Sequence, residues 1–440
     1  MVILREENLP PTQWVLGCVI KTHPVNDDVI RTVTVKTANN EFKRNVKELS
    51  PLPILLLEAG IEEPDFAQVP GLFAFMQNSN ADWGFKTQPE NTGCINGCSW
   101  PRGKMMGGTG AMNGLIYCRG NAEDFNNWAR MGNLGWSYKD VLSYFIKSED
   151  NRDKEIVDES PEYHGVGGYR AVQRLPYKDQ NEKNILEAAK ELGYKIMDIT
   201  GKDQLGAMIM QTITKDGQHL PVDKHLEDHM SFNGVFLKLN DKTATEKSFK
   251  RKQTDLELYL KTHTGPLSSI GTATLSAFIQ TKYAKIDGVP DGYIKLNETD
   301  PIWGNPLIYP KYYANDFDVQ RQLDLVRKTL ELFNTKSFKD NDYKLDDSPL
   351  APCNHLTFNT DDYWICLMRN NTIAAFHPVG TCKMGPKEDP GAVVDPRLKV
   401  NGVLGLRAVD ASIMPRNIRG NPHATIIAIA EKAADMIKED

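Results

Sequence analysis

The sequence predicts an α/β fold with an added antiparallel sheet, on three observations. Ile54-Leu55-Leu56-Leu57 is a compact apolar run closing on Glu58 and Gly60, as a buried parallel strand reads where its carboxyl end meets a ligand. A core strand capped by a solvated acid reads the same way. Gly107-Gly108-Thr109-Gly110 precedes an apolar stretch, Ala111 to Tyr117, that suits a helix; such glycines let backbone approach a ligand, and a helix N-terminus favours phosphate. Farther on, strand-like and helix-like segments alternate.

In chain order, residues 1–50 carry a short strand-like alternation at Val29–Lys36 and then turn polar through Asn39–Asn45. After the glycine-rich stretch, Asn121–Met131 and Ser137–Glu149 read as capped amphipathic helices. Asn184–Leu192 is a further helix, with Gly193 at its C-terminal cap position. Ala207–Thr214, Met230–Leu239 and Leu307–Tyr313 read as strands, and the basic run Lys247–Lys252 as a solvated loop. Over Asp316–Phe333, Val319, Leu323, Val326, Leu330 and Phe333 fall on one helical stripe. A closing helix, Thr425–Lys438, puts Ile426, Ile429, Ala430, Ala433 and Ile437 on one face.

Composition excludes several classes. The 440 residues are 40% apolar and 25% charged, which is globular rather than disordered. The net charge of −6 argues against non-specific nucleic-acid binding, and no apolar run reaches the length of a membrane span. Met1–Pro11 carries Arg5, Glu6 and Glu7 where an export signal is apolar, so no signal peptide is expected and the compartment stays unassigned. Seven cysteines are too scattered for a disulfide scaffold; Cys353 and Cys366 read equally well as a bridge or as buried thiols. The sequons at Asn297 and Asn370 matter only in a secreted chain. There is no G-x-S-x-G and no P-loop.

Few residues point to chemistry directly. His377 is followed by Pro378 and Gly380, which pin it in a rigid turn suited to a positioned base or to a structural histidine. Asp410 ends a short apolar segment. Asn421 stands before the closing helix, as an N-cap or as an amide facing a ligand. His219, His225 and His229 cluster, but Leu226 replaces the glutamate of a metalloprotease motif and the following residues read as strand, so no metal site is expected.

Taken together, three blocks resemble the glucose–methanol–choline (GMC) family of FAD-dependent oxidoreductases, in particular its insect glucose-dehydrogenase-like members. They are Pro101–Gly120, His377–Gly385, and Val394–Pro415 with Gly420-Asn421 and Ile429–Asp435. The resemblance covers most of Pro53–Gln218 and Leu220–Asp440. It implies an FAD-binding Rossmann-like domain over 52–160, 203–228 and 374–440, and an α+β substrate domain with an antiparallel sheet over 161–202 and 229–373. Residues 1–51 form an atypical N-terminal segment.

The resemblance also assigns roles. Glu58 matches the acid that holds the adenosine ribose. Arg102, Gly107, Gly108, Asn113 and Gly114 match the loop under the pyrophosphate and isoalloxazine. Asp410 and Ala411 match a second pyrophosphate and ribityl contact, and Pro422 and His423 further cofactor contacts. His377 matches the histidine that takes the substrate hydroxyl proton, and Asn421 the second active-site position. The implied reaction is oxidation of an alcohol or sugar, with quinone or oxygen reoxidising the flavin.

The sequence departs from the family pattern twice. The opening G-x-G-x-x-G strand–turn–helix is absent, and the chain passes almost directly from Gln218 to Leu220, where relatives carry a long segment. A second reading follows: a truncated or splice-form remnant that does not retain FAD.

Overall fold

The structure is a computed structural model. It describes residues 2–4, 15–24, 30–36, 41–45, 49–51, 58–216, 218–219, 229–232, 234–240, 249–270, 274–282, 292–301 and 303–440. The apolar run at 54–57 and the histidine at 225 lie outside the described residues, as does the side chain at 219. The chain divides into two units, Met1–Ala59 and Gly60–Asp440.

The first unit is a sheet of strands β1 (Val2–Leu4), β2 (Val15–Pro24), β3 (Ile30–Lys36), β4 (Glu41–Asn45) and β5 (Leu49–Pro51) in the order β4-β3-β2-β1-β5, every pair antiparallel. β3 is the strand expected from its β-branched alternation. β4 lies in the stretch Asn39–Asn45, which the sequence marks only as polar. Its sequence, Glu-Phe-Lys-Arg-Asn, has no apolar alternation, and the ladder with β3 supplies the backbone partners that its side chains do not advertise.

The second unit holds helices α1 (Ala122–Arg130), α2 (Tyr138–Ser148), α3 (Lys154–Glu159), α4 (Gln180–Glu191), α5 (Phe249–Thr262), α6 (Asp316–Glu331), α7 (Lys336–Asp340), α8 (Asp361–Asn370) and α9 (His423–Glu439). Caps fix the starts. Asn121 Oδ1 accepts from Glu123 N while Asp124 Oδ2 accepts from Asn121 N, a reciprocal box at α1. Asp179 caps α4, so that helix begins before the expected Asn184.

Two cores organise this unit. In one, α9 packs along α2, and Phe125, Trp128, Trp136, Phe145, Ile413, Ile427 and Ile429 are buried together. Ala430 and Ile437, expected on the buried stripe, are exposed: α9 is enclosed over its first two turns and then emerges, so its last turns bury only Ala433 and Met436. In the other core, Val319, Leu323 and Val326 of α6 meet Tyr363, Trp364 and Leu367 of α8. Disulfides Cys353–Cys366 and Cys94–Cys98 belong to the same region, so both thiol pairs are bridges.

Two expectations fail here. Residues 247–252 were expected to be loop, but Lys250, Arg251 and Lys252 lie exposed on α5, whose weak apolar stripe begins only after the charges. Ala111–Tyr117 is not a helix. A single 3₁₀ turn, Gly108–Ala111, is followed by irregular chain in which Leu115 stands at φ +62°. Asn113 Oδ1 accepts from Leu115 N at 2.8 Å, Ile213 N donates to Leu115 O at 2.8 Å, and Tyr117 N donates to Gln211 O at 2.9 Å. An Asn-Gly turn and a neighbouring strand thus take the groups a helix would have used.

A buried polar cluster braces the first core. The Arg119 guanidinium, wholly buried, donates to Glu149 Oε2 at 2.5 Å and to Tyr117 Oη at 3.0 Å. His164 lies between Glu149 Oε1 at 3.2 Å and Asp198 Oδ2 at 2.8 Å. Both ring nitrogens face carboxylates, so both carry protons. Burial opposes that charge, but the hydrogen bonds to Asp198 and Glu149 outweigh it and raise the His164 pKa.

Candidate active site

A cleft opens in the second unit, between the glycine-rich stretch, the His377 turn and the start of α9. Arg102, Asn113, Gly114, His377, Asn421, Pro422 and His423 line it, with Thr109, Gly110 and Leu115. Residues named from the sequence are thus brought together from positions far apart in the chain. Gly107 and Gly108, at positive φ of 82° and 52°, are outside the lining. Asp410 and Ala411 are also outside it. Asp410 Oδ1 caps the short turn Ala411–Ile413 by accepting from Ser412 N at 2.9 Å. Glu58 belongs to the first unit.

The His377 turn is fixed from several sides. Strand Thr372–Ala374 delivers it, and Phe376 turns the chain at φ +63°, a left-handed conformation unusual for a phenylalanine. Arg102 Nη1 donates to Phe376 O at 3.3 Å and Asn417 Nδ2 to His377 O at 3.4 Å. Gly380 N and Cys382 N donate to Ala411 O and Ser412 O at 3.2 and 2.8 Å, which gives Asp410 and Ala411 a supporting place.

The Asn421 side is fixed by close backbone approach. Gly420 has φ +107°, and a Cβ there would stand 2.4 Å from Cys118 Sγ. Helix α9 starts after Pro422, so Asn421 is not its cap. Its Nδ2 instead donates to His377 Nε2 at 2.9 Å. Behind it, Asn113 Nδ2 and His423 Nδ1 are 3.2 Å apart, tying the Asn-Gly turn to the first turn of α9.

The sequence did not single out His229 for this place. Strand Met230–Phe232 pairs with Thr372–Ala374, and Ala375 N donates to His229 O at 2.8 Å, so His229 arrives beside the turn. Its Nδ1 is 3.0 Å from His377 Nδ1, and its Nε2 is 2.9 Å from Ile418 O. The metal cluster weighed from the sequence had offered His229 a different role. A lone histidine before a short strand, 148 residues from His377, carries no spacing signal for this one.

Charge in the cleft is set by burial. His377 is brought from its ordinary 6.5 down to about 3 by desolvation, with His229 and Arg102 adding repulsion against a cation. Burial lowers His229 as well, against a hydrogen bond to Ile418 O that raises it. Both rings are therefore neutral, and one nitrogen of each is an acceptor.

A neutral histidine and a carboxamide thus face each other at a glycine-walled cleft. Two family models described as GMC oxidoreductase match residues 90–246 and 289–430, and the chain belongs to that family of FAD-dependent oxidoreductases. A third, described as a family of unknown function (DUF5641), matches residues 1–52. Glucose dehydrogenase (FAD, quinone) of Drosophila pseudoobscura pseudoobscura is 29% identical over 547 aligned residues, covering 91% of this chain and 85% of that protein. Ecdysone oxidase of Bombyx mori is 25% identical, covering 97% and 84%. Among solved structures, a formate oxidase shares the fold at TM-score 0.73 and 20% identity, over 87% of this chain and 93% of that one. An FAD-dependent oxidoreductase from Chaetomium thermophilum shares it at TM-score 0.73 and 18% identity, over 87% and 94%. The 547 aligned positions exceed the 440 residues here, so the Drosophila protein carries segments with no counterpart in this chain. Among the described residues, no helix is long and apolar enough to cross a membrane.

Proposed function

We propose that this chain is an FAD-linked oxidoreductase acting on the CH–OH group of an alcohol or sugar, with quinone or oxygen as the final electron acceptor. The observation that carries the reading is the 2.9 Å contact of His377 Nε2 with Asn421 Nδ2 at the cleft. A hydroxyl entering between them donates its proton to Nε2, while its oxygen accepts from Asn421 Nδ2. The O–H bond breaks and an Nε2–H bond forms; positioning supplies much of the rate. FAD, when bound, supplies the two-electron acceptor for the substrate carbon's hydride.

The residues present fit the ring end of that cofactor. A Cβ built on Gly114 would have Ile270 Cδ1, at 4.0 Å, as its nearest neighbour, so the backbone there is open to a flat ring. Asn113, Arg102 and His423 offer polar contacts along the same wall. The diphosphate end is different. The sequence holds no G-x-G-x-x-G, residues 1–52 match another family, and the strands described there, β1 to β5, form an antiparallel sheet. That observation favours the second reading, a remnant of such an enzyme that does not retain FAD.

The purified chain, tested with and without added FAD, separates the two. Flavin absorbance together with alcohol-dependent dye reduction is expected, and His377→Ala removes the reduction while leaving the absorbance. A folded, colourless protein that takes up no added FAD overturns the first reading in favour of the second.

A further inference from the structure

We propose that His229 is a positioning residue that, with the Ile418 carbonyl, locks His377 in the tautomer whose Nε2 is a bare acceptor facing the cleft. The assignment follows from hydrogen-bond bookkeeping along one line of contacts. Ile418 O only accepts, so the 2.9 Å contact requires a proton on His229 Nε2. His229 is neutral, which leaves its Nδ1 bare. The 3.0 Å contact between the two Nδ1 atoms then requires the proton on His377 Nδ1. His377 is neutral too, so its Nε2 carries the lone pair that accepts from Asn421 Nδ2 at 2.9 Å. Each step is forced by the one before it, and the line begins at a main-chain carbonyl, which has no alternative protonation state.

The device rests on the role proposed for His377 and deepens it. A neutral imidazole free to choose would divide its proton between two nitrogens, and only one choice leaves a base in the cleft. When Nε2 takes the hydroxyl proton, His377 becomes an imidazolium whose Nδ1–H points at His229 Nδ1. Its charge is stabilised there by an acceptor. Onward transfer stops at His229, because its own N–H already faces a carbonyl. The T-shaped arrangement of the rings, with planes at 83° and centroids 5.2 Å apart, directs the Nδ1 atoms at each other rather than stacking the faces.

The test reads the tautomer directly, without the cofactor. In the purified full chain labelled with ¹⁵N-histidine, the ring nitrogens of His377 should report a proton on Nδ1 alone. His229→Leu removes the acceptor, and His377 should then show a mixture with Nε2–H. His229→Gln keeps both functions, since its carboxamide oxygen accepts from His377 and its NH₂ donates to Ile418 O, and it should restore the single tautomer. In FAD-loaded enzyme, His229→Leu should lower kcat by roughly 100-fold, within what a positioned base contributes, with KM little changed and recovery in His229→Gln. An unchanged His377 tautomer in His229→Leu, or Nε2–H in the unaltered chain, overturns the proposal. Absence of alcohol oxidation with the tautomer pattern intact overturns only the functional reading.

Discussion

His377 should remain neutral across the pH range where imidazole ordinarily titrates. Burial, His229 and Arg102 together bring it from 6.5 to about 3, while Asn421 contributes an amide donor to Nε2 that fits only the neutral ring. The unfolded chain takes up a proton near pH 6.5, and the folded chain does not until about pH 3. The site's contribution to stability is therefore complete above pH 6.5 and is lost as pH falls toward 3. At about 1.4 kcal/mol for each pH unit, the loss is about 2 kcal/mol by roughly pH 5 and on the order of 4–5 kcal/mol at the acid end. Histidine-selective NMR should show flat His377 ring shifts between about pH 8 and 5. Urea unfolding at the two ends of that range should show the unaltered chain losing about 2 kcal/mol more than His377→Gln. A His377 midpoint near the ordinary value, or identical pH slopes for the two proteins, would refute the neutral base and the tautomer argument together.

Two further outcomes follow from the packing. His164→Leu strips the cation shared by Glu149 and Asp198 and should cost on the order of 3–5 kcal/mol in urea unfolding. Because the His164 pKa is raised on folding, its contribution is full below 6.5 and lost as pH rises through the folded value, so the gap to His164→Leu should narrow at alkaline pH; a constant gap would count against a charged His164. Gly420→Ala adds a Cβ 2.4 Å from Cys118 Sγ at φ +107° and should cost about 1–3 kcal/mol while displacing Asn421. Cys118→Ala in the same chain should recover only part of the melting temperature, since the backbone strain remains; full recovery would show that the clash alone was at issue.

Much of the local structure could be read in advance. Asn121 with Asp124 and Ser137 with Asp140 mark helix starts by hydrogen bonds that span a few residues, and the stripe Val319–Leu323–Val326 is a property of one helix. The His377-Pro-Val-Gly turn and the Gly420-Asn421 pair were likewise visible because their conformations depend on their own residue types. The failures have separate causes. The chain from Ala111 to Tyr117 is apolar enough for a helix, yet Asn113 and the strand at 211–213 compete for its backbone. Helix α5 carries Lys250, Arg251 and Lys252 in its first turn, which leave no apolar period to detect.

The order of residues alone therefore offered His377 and Asn421 as candidates, because a histidine before proline and an asparagine after glycine are pinned by short-range sterics. It could not say which nitrogen of His377 holds the proton. That was decided by a strand pairing that sets His229 beside the turn and by a carbonyl at Ile418, contacts 148 and 189 residues apart in the chain. Hydrogen-bond polarity passes only through atoms in contact, and such contacts between remote segments exist only once the chain has folded.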